Sequence, residues 1–265
     1  MKRRLDVRIT EDGLVSSRQK ANALIMSGAV YVNESNAVKP GMLVDDDAAI
    51  VIKNNNQKFL SRGGLKLEKA LVEFQIELKD SIVADIGAST GGFSDCMLKN
   101  GAKKVFAVDV GYGQLAWELR KDNRVIVLER TNARYLSEEE IPEKLDFATV
   151  DVSFISLRLI IPPLIKLLKD KAGLVCLIKP QFEAGKEKVG KNGVVKDSGV
   201  HQEVIEKIID FSKDSGMKVE GVTFSPIKGP KGNIEYLIYC TKDVTESKEI
   251  DVMKIVSLAH SSLLN

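Results

Sequence analysis

The chain has 265 residues, with 39 Lys and Arg against 37 Asp and Glu, and 44% of its residues are hydrophobic. That balance is ordinary for a folded globular protein and excludes wholesale disorder, and the length suits one large domain or two smaller ones. No apolar run approaches the roughly 18–20 residues that a membrane-spanning helix needs, and no apolar signal-like stretch follows Met1–Arg4. The three cysteines form no CxxC pair, so we expect a cytoplasmic protein without structural zinc or disulfides.

Residues 1–57 are predicted to form a small α+β module. Ser16–Gln19 matches a capping box, so a helix is expected to begin there and to stop near Gly28. Short β-type runs follow at 29–32 and 48–52. A unit of about 57 residues is near the lower limit for an independent core, so we expect a compact accessory module.

The composition changes again near Asn54, where polar residues of linker type accumulate. We expect an interdomain linker at 58–64 and a second domain over 65–265. A helix is predicted from about Leu65 to Phe74, because its apolar residues recur on one face.

The second domain alternates between apolar runs and amphipathic segments. Continuous apolar runs are typical of parallel strands that are buried on both faces. These runs lie at 82–84, 105–108, 125–128, 147–150 and 174–178. The segments predicted as helices lie near 91–100, 114–121, 155–169 and 198–215. Pro162–Pro163 should kink or restart the third of them.

Two further strand-like runs, at 218–224 and 234–240, have no convincing helix between them. They predict a β-hairpin that closes the sheet with one antiparallel strand, and a final helix is expected from about Val252 to Leu264. The expected fold class is α/β, a doubly wound Rossmann-like sheet preceded by the small α+β module.

A glycine turn, Asp85–Phe93, follows the first predicted strand of the sheet. In doubly wound folds this turn is where a nucleotide-like cofactor binds. Its spacing is GxxxGG, which is neither the dinucleotide fingerprint GxGxxG nor a phosphate loop. Asp109 ends the next strand, where a carboxylate can accept both ribose hydroxyls of an adenosine but repels a phosphate. The pattern favours S-adenosylmethionine, and the alternative is a tight turn without a ligand.

The cofactor prediction extends to residues beyond this turn. Asn132 follows the third strand, where it is placed to meet the adenine edge. The candidate cofactor-binding residues are Asp85, Gly87, Ala88, Ser89, Thr90, Gly91, Gly92, Asp109, Asn132 and Asp151.

Four ionisable residues fall at the ends of elements around one predicted sheet edge: Lys66, Asp151, Lys179 and Glu235. A charge that ends an apolar strand is costly unless it is paired or lies in a cleft. Each one alone could be a surface charge or a salt bridge. Four of them beside a cofactor turn favour a catalytic set.

The second domain resembles the FtsJ-type ribose 2′-O-methyltransferases, whose Lys-Asp-Lys-Glu tetrad matches these four positions in order. The whole chain resembles the hemolysin A (TlyA) family of ribosomal RNA cytidine 2′-O-methyltransferases, through Leu60–Lys66, Asp109–Leu115 and Asp151–Leu157. The N-terminal unit is similar to the S-four RNA-binding module, named after a ribosomal protein. The family's historical hemolysin label implies lysis, but the sequence offers no membrane span, so we treat that label as misleading.

The resemblance implies S-adenosylmethionine as cofactor, ribosomal RNA or ribosomal subunits as partner, no metal, and Lys179 as general base. Such a base needs a neutral amine. Lys66 nearby would disfavour a second positive charge and could stabilise the developing alkoxide, while Asp151 and Glu235 orient the two lysines.

Basic residues supply candidate phosphate contacts on both sides of the cleft. The candidate RNA-binding residues are Arg3, Arg4, Arg18, Lys20, Lys39, Lys186, Lys188 and Lys191. For each of them a solvated surface charge is the alternative. Phe154 is a candidate for stacking a splayed base, with core packing as the alternative, and His201 and His260 receive no role.

A second functional class remains open, namely an RNA-binding scaffold that keeps the cofactor fold without turnover. The intact tetrad argues against it. A pseudouridine synthase with a similar N-terminal module is disfavoured, because the glycine turn would then have no purpose. The sequence leaves the modified cytidine, the ribosomal subunit and the oligomeric state open.

Overall fold

The computed structural model describes residues 2–15, 17–26, 29–33, 35–37, 39–52, 58–243 and 248–263. The chain divides into two compact units, Met1–Gln57 and Lys58–Asn265. The predicted capping residue Ser16, the predicted helix stop Gly28 and the predicted helix end Leu264 lie outside the described residues.

The first unit is a small α+β module whose elements surround one apolar core. Its elements are β1 (Lys2–Arg4), α1 (Leu5–Glu11), α2 (Arg18–Met26), β2 (Val30–Val32), β3 (Ser35–Asn36), β4 (Leu43–Asp45) and β5 (Ile50–Ile52). β1 pairs with β4, and β2 pairs with β3 and β5, all antiparallel. Leu5 and Ile9 of α1 pack in the core with Ala21 and Ile25 of α2.

The predictions of α2, β2 and β5 are confirmed, whereas α1 was not predicted. α1 has only seven residues, and it buries Asp6 and Arg8 together with its apolar side chains. These buried charges interrupt the apolar periodicity that would have indicated a helix.

The second unit is built on a seven-stranded sheet. Its strands are β6 (Ile82–Ile86), β7 (Lys104–Val108), β8 (Val125–Leu128), β9 (Leu145–Val150), β10 (Leu168–Ile178), β11 (Lys218–Phe224) and β12 (Tyr236–Thr241). The strand order is β11-β12-β10-β9-β6-β7-β8. β12 runs antiparallel to both of its neighbours, and the remaining pairs are parallel. The predicted fold class and the closing hairpin with one antiparallel strand are confirmed.

The described residues of the second unit form seven α-helices. They are α3 (Gly63–Glu73), α4 (Gly92–Lys99), α5 (Trp117–Arg120), α6 (Ile161–Leu167), α7 (Pro180–Glu183), α8 (Ser198–Asp214) and α9 (Val252–Leu263). Successive strand residues point to opposite faces. Val83 packs with α3 and α4 in one apolar core, and Ala84 packs with α6, α8 and α9 in the other.

The strand register brings the predicted site residues to one edge of the sheet. Ile86 at the end of β6 lies opposite Val108 of β7 and Val150 of β9, and Val150 lies opposite Cys176 of β10. The residues that follow these parallel strands therefore emerge together at their carboxyl ends, where doubly wound folds bind their ligands.

Residues 58–64 differ from the predicted interdomain linker. Phe59 is only 3% exposed and packs in the core on the α3 side, and the amide of Leu60 donates to Asp95 Oδ2 at 2.8 Å. α3 begins at Gly63, close against Phe59, instead of at Leu65. Burial of the Phe59 ring thus makes this stretch part of the second unit.

Two predicted helices also take a different form. The stretch 155–169 splits into a 3₁₀ turn, Leu157–Leu159, and α6, which carries the two prolines in its first turn, so the predicted restart is confirmed. A first turn tolerates proline because its N–H groups have no helical partner. The stretch 114–121 contains only the single turn of α5.

Candidate active site

The four ionisable residues predicted as a catalytic set are arranged as two ion pairs. Lys66 Nζ, on α3, lies 2.6 Å from Glu235 Oε2, just before β12. Lys179 Nζ, after β10, lies 2.6 Å from Asp151 Oδ1, after β9. Asp151 Oδ1 is buried and meets no hydrogen-bond donor in the described residues other than this ammonium.

Burial makes these pairs unusual. Lys66, Lys179 and Glu235 are 6%, 8% and 1% exposed. Removing such charges from water costs several kcal/mol per ion, so an unpaired partner would be strongly unfavourable. Lys179 Nζ also donates to Ser153 Oγ at 3.0 Å, a contact the sequence analysis missed. The lysine ammonium is therefore held by a carboxylate and a hydroxyl.

The glycine turn after β6 adopts backbone conformations that require glycine at two positions. Gly87 has φ 86°, and a Cβ there would lie 2.5 Å from the carbonyl oxygen of Asp151. Gly91 has φ 93°, and a Cβ there would lie 2.0 Å from Leu119 Cδ1. At Gly87 the turn thus approaches Asp151, at the end of β9, more closely than any side chain would allow.

Asp109 is fixed by the backbone around it. Its Oδ2 accepts from the Ser89 amide at 2.7 Å, and its Oδ1 accepts from the Gly111 amide at 2.7 Å. Each carboxylate oxygen has a further lone pair. The side chain lines a cavity of about 520 Å³ together with Asn132 and Asp151. A carboxylate in that position suits a ligand whose hydroxyl groups donate to it.

Asn132 supports the wall of this cavity. Its Oδ1 accepts from the Arg134 amide at 3.1 Å and so caps the short 3₁₀ turn Ala133–Tyr135.

A second cavity, of about 230 Å³, lies beside Lys66 and Asp151. Its wall includes the predicted cofactor residues Asp85, Gly87, Ala88, Ser89, Thr90 and Gly92.

Asp85 borders the smaller cavity, but its carboxylate is engaged within the protein. Oδ2 accepts from the amide and the hydroxyl of Ser94 at 2.8 and 2.6 Å, and Oδ1 accepts from Thr149 Oγ1 at 3.3 Å. Complete burial raises the pKa of Asp85 to about 6. Its hydrogen bonds connect β6 and β9 to the start of α4, so it organises the turn.

An aromatic pair stands beside Lys179. Phe154 is 86% exposed with φ 64°, and its ring centroid lies 5.0 Å from that of Phe182. Positive φ is strained for a bulky residue and indicates a conformation that its surroundings enforce. The alternative that Phe154 belongs to the core is wrong.

Glu183 holds the loop that carries Phe154, and the sequence analysis missed it. Its carboxylate accepts from Ser156 Oγ at 2.7 Å and from the Leu157 amide at 2.8 Å. Burial raises the pKa of Glu183. The loops after β9 and β10 are therefore joined at both Lys179 and this carboxylate.

Several predicted RNA-binding residues have acidic partners. Arg4 donates to both oxygens of Asp6 at 3.0 Å, and Arg18 donates to Asp6 Oδ2 at 2.8 Å. Arg3 pairs with Asp46 and Glu11, and Lys188 pairs with Glu203. Within the described ranges, no carboxylate pairs with Lys20, Lys39, Lys186 or Lys191.

The two histidines lie in contact, with His201 buried and His260 half-buried. His201 Nε2 lies 3.0 Å from the carbonyl oxygen of Val195, which can only accept, so Nε2 carries the proton. Nδ1 then has one lone pair with which to accept, and Tyr236 Oη at 2.8 Å and His260 Nε2 at 3.0 Å both lie within reach of it. Burial lowers the pKa of His201 to about 4. Neither ring lines the two cavities beside the glycine turn.

A doubly wound sheet with a glycine turn and two buried ion pairs is the arrangement that the sequence analysis expects of an FtsJ-type methyltransferase. The family model described as FtsJ-like methyltransferase matches residues 59–242, and the chain belongs to this family. A second model, described as S4 domain, matches residues 3–50. The resemblance inferred from the sequence is thereby confirmed.

Two relatives that match most of this chain are named as ribosomal RNA methyltransferases. The chain is 50% identical to the "Putative rRNA methyltransferase YqxC" of Bacillus subtilis (strain 168), over 99% of this chain and 95% of that protein. It is 44% identical to the "16S/23S rRNA (cytidine-2'-O)-methyltransferase TlyA" of Mycobacterium tuberculosis (strain ATCC 25618 / H37Rv), over 89% of this chain and 88% of that protein.

A solved structure shares the fold over nearly the whole chain. It is titled "Putative hemolysin from Streptococcus thermophilus", with a TM-score of 0.79 and 45% identity. The similarity covers 98% of this chain and 96% of that one. Among the described residues, no helix is long and apolar enough to cross a bilayer.

Proposed function

We propose that this methyltransferase modifies the 2′-oxygen of a cytidine ribose in ribosomal RNA, with S-adenosylmethionine as the methyl donor. The observation that carries the proposal is the buried Lys179–Asp151 pair at the edge of the cavity beside the glycine turn. The names of the relatives supply the substrate class.

The residues at the glycine turn fit an adenosine-bearing cofactor. Asp109 keeps lone pairs for two ribose hydroxyls, and Asn132 lines the wall where an adenine edge would lie. Gly87 and Gly91 let the backbone approach a ligand without a side chain in between. When bound, S-adenosylmethionine supplies an electrophilic methyl group on a sulfonium. We therefore keep the assignment of the predicted residues to cofactor binding. Asp85 contributes by holding the glycine turn in place.

Lys179 accepts the proton of the ribose 2′-hydroxyl as the oxygen becomes a nucleophile. Asp151 and Ser153 hold its Nζ in position, and the amine must be neutral before it accepts that proton. Lys66 lines the smaller cavity together with Asp151 and stabilises negative charge on the ribose oxygen. Glu235 holds Lys66 in place. These steps need no metal.

RNA binding is assigned to both units. The first unit, which matches the S4 domain, carries Arg3, Arg4, Arg18, Lys20 and Lys39, and the second unit carries Lys186, Lys188 and Lys191. Phe154, exposed beside Lys179, is the platform for the target base. A ribosomal substrate implies action in the cytoplasm. No observation favours the scaffold without turnover.

The test is methyl transfer from radiolabelled S-adenosylmethionine to purified small and large ribosomal subunits, followed by mapping of 2′-O-methyl positions. The wild-type chain should add a 2′-O-methyl group to cytidine, and Lys179→Ala should not. Methylation of a base nitrogen or carbon instead of the ribose would contradict the proposal. Removal of residues 1–57 should leave a domain that binds the cofactor but binds ribosomal subunits weakly.

A further inference from the structure

A third cavity, of about 700 Å³, lies next to the active site, and none of the residues assigned to the methyl-transfer steps lines it. α7 and the loop that follows it form its walls, and Lys231 closes it from the segment before β12. We call it the lysine cavity, because Lys186, Lys191 and Lys231 line it. None of its lining residues is acidic.

Gln181 provides a buried polar atom in this cavity. Its Oε1 is buried and has no hydrogen-bond donor within the described part of the chain. Leaving a buried acceptor unpaired costs roughly 1–3 kcal/mol, and most such atoms in folded proteins find partners. The neighbouring polar side chains of α7 and its cap, Glu183 and Lys179, are both paired. The orphaned carbonyl therefore indicates a ligand that donates to it.

The lysines of this cavity are not neutralised by the protein. Across the residues that the structure describes, no carboxylate lies within 4.0 Å of Lys186, Lys191 or Lys231. Lys188, in the same loop but not in the cavity, pairs with Glu203. Three unpaired ammonium groups around one concave surface suit a phosphate diester.

The loop that carries two of these lysines is anchored. Asn233, 2% exposed, donates from Nδ2 to the Gly193 carbonyl at 2.9 Å and accepts at Oδ1 from the Val195 amide at 3.0 Å. Asn233 stands two residues before Glu235. The cavity is thus fixed relative to the segment that carries a catalytic carboxylate.

We propose that the lysine cavity binds a nucleotide of the substrate RNA next to the methylated one, and this inference rests on the function proposed above. The phosphate contacts the three lysines, and an O–H or N–H group of the nucleotide donates to Gln181 Oε1. The target ribose lies elsewhere, because Asp151, the partner of Lys179, lines the two cavities at the glycine turn and not this one.

The first test replaces Gln181 with leucine, which removes the amide and keeps similar volume. We expect KM for ribosomal subunits to rise roughly threefold to tenfold, in line with one lost hydrogen bond. The affinity for S-adenosylmethionine should not change, and kcat should change less than KM. The melting temperature should stay equal or rise, because an unpaired buried acceptor has been removed. Gln202→Leu, on α8 and outside the cavity, is the matched control.

A structural role for Gln181 predicts the opposite combination, a lower melting temperature with an unchanged KM, and that result would overturn the inference. The double variant Lys191→Ala, Lys231→Ala tests the phosphate contact. Its binding to the subunits, measured by filter retention over a range of salt concentrations, should lose about 0.7 from the magnitude of the slope of log K against log salt, the value for one single-stranded phosphate. An unchanged slope would overturn the phosphate assignment.

Filter retention measures binding without turnover, so the proposed function and the lysine-cavity inference can fail separately. If the wild-type chain binds subunits but methylates no ribose, the proposed function fails. If the wild-type chain methylates ribose and Gln181→Leu binds and turns over like it, only the lysine cavity is wrong.

Discussion

The two units of this molecule each place buried carboxylates against basic side chains, but with different partners. In the first unit, Asp6 is 1% exposed and holds two arginines, Arg4 and Arg18, whose side chains remain largely exposed. In the second unit, Asp151 and Glu235 hold lysines that are themselves buried. Arginine keeps its charge under all ordinary conditions, whereas a lysine can lose its proton. The first unit therefore pairs its buried carboxylate with charges that persist, whereas the second unit pairs its carboxylates with side chains that can change charge.

Asp6 and Asp85 show that the partner, and not burial alone, sets the charge of a carboxylate. Both are almost completely buried. Hydrogen bonds from Arg4 and Arg18 hold the pKa of Asp6 far below its usual range. Asp85 meets hydroxyls and an amide but no cation, and burial raises its pKa to about 6.

The largest effect is expected when Lys179, the proposed general base, is removed. Lys179→Ala should lower methyl transfer to ribosomal subunits by a factor on the order of 100 or more, because a general base contributes about that much. Cofactor affinity, measured by calorimetry, should change little. Lys103→Ala, at an exposed position before β7, is the control and should turn over normally. Loss of cofactor binding in Lys179→Ala would assign Lys179 to the cofactor site instead.

The next effect is on stability. Glu235→Ala leaves Lys66 buried without its partner, so the free energy of unfolding should fall by about 3–5 kcal/mol. Chemical denaturation of the full chain measures this change. Glu77→Ala, at an exposed position, should stay close to the wild type. A loss as small as that of Glu77→Ala would mean that the Lys66–Glu235 pair is not buried as described.

The sequence predicted the second unit better than the first, for physical reasons. β7 covers the predicted run at 105–108, and all four of these residues are buried, because a strand buried on both faces needs a continuous apolar run. Asp151 and Lys179 were recognisable as candidate site residues because charges that end apolar strands stand out. α1 was missed because its buried Asp6 and Arg8 resemble surface residues in sequence.

The residues that support the site could not be predicted, because their roles depend on contacts between loops distant in sequence. Glu183 holds Ser156, 27 positions away, and Asn233 holds Gly193, 40 positions away. Gln181 became informative only when its carbonyl proved to be buried and unpaired. Spacing along the chain carries no signal for such contacts.

A smaller effect is the pH dependence of stability that Asp85 contributes, because its pKa is raised whereas that of Asp6 is lowered. Because the folded pKa of Asp85 lies above its unfolded value of about 3.9, the folded state binds the proton more tightly, and stability from this group falls as pH rises from about 4 to about 6. Asp85→Asn should remove this dependence, with a gain over the wild type at pH 7 of at most about 3 kcal/mol. Denaturation at several pH values measures it. A constant difference between the two proteins would contradict the raised pKa.

The smallest effect concerns the exposed arginines. Arg18→Lys keeps the positive charge beside Asp6, so the affinity for ribosomal subunits should fall by less than about threefold, because attraction to phosphate depends chiefly on that charge. Filter retention measures this affinity. A tenfold or greater loss would show that guanidinium geometry, and not charge alone, is required in the first unit.

The most direct test of the account is the reverse exchange, Lys179→Arg, in a single-turnover assay with saturating ribosomal subunits and cofactor. Arginine keeps the positive charge beside Asp151 but stays protonated, so it cannot accept the proton of the ribose hydroxyl. We expect the rate of methyl transfer to fall nearly as far as in Lys179→Ala, while subunit and cofactor binding persist. A rate near that of the wild type would contradict the general-base role of Lys179 and leave the positioning of substrate as the source of catalysis.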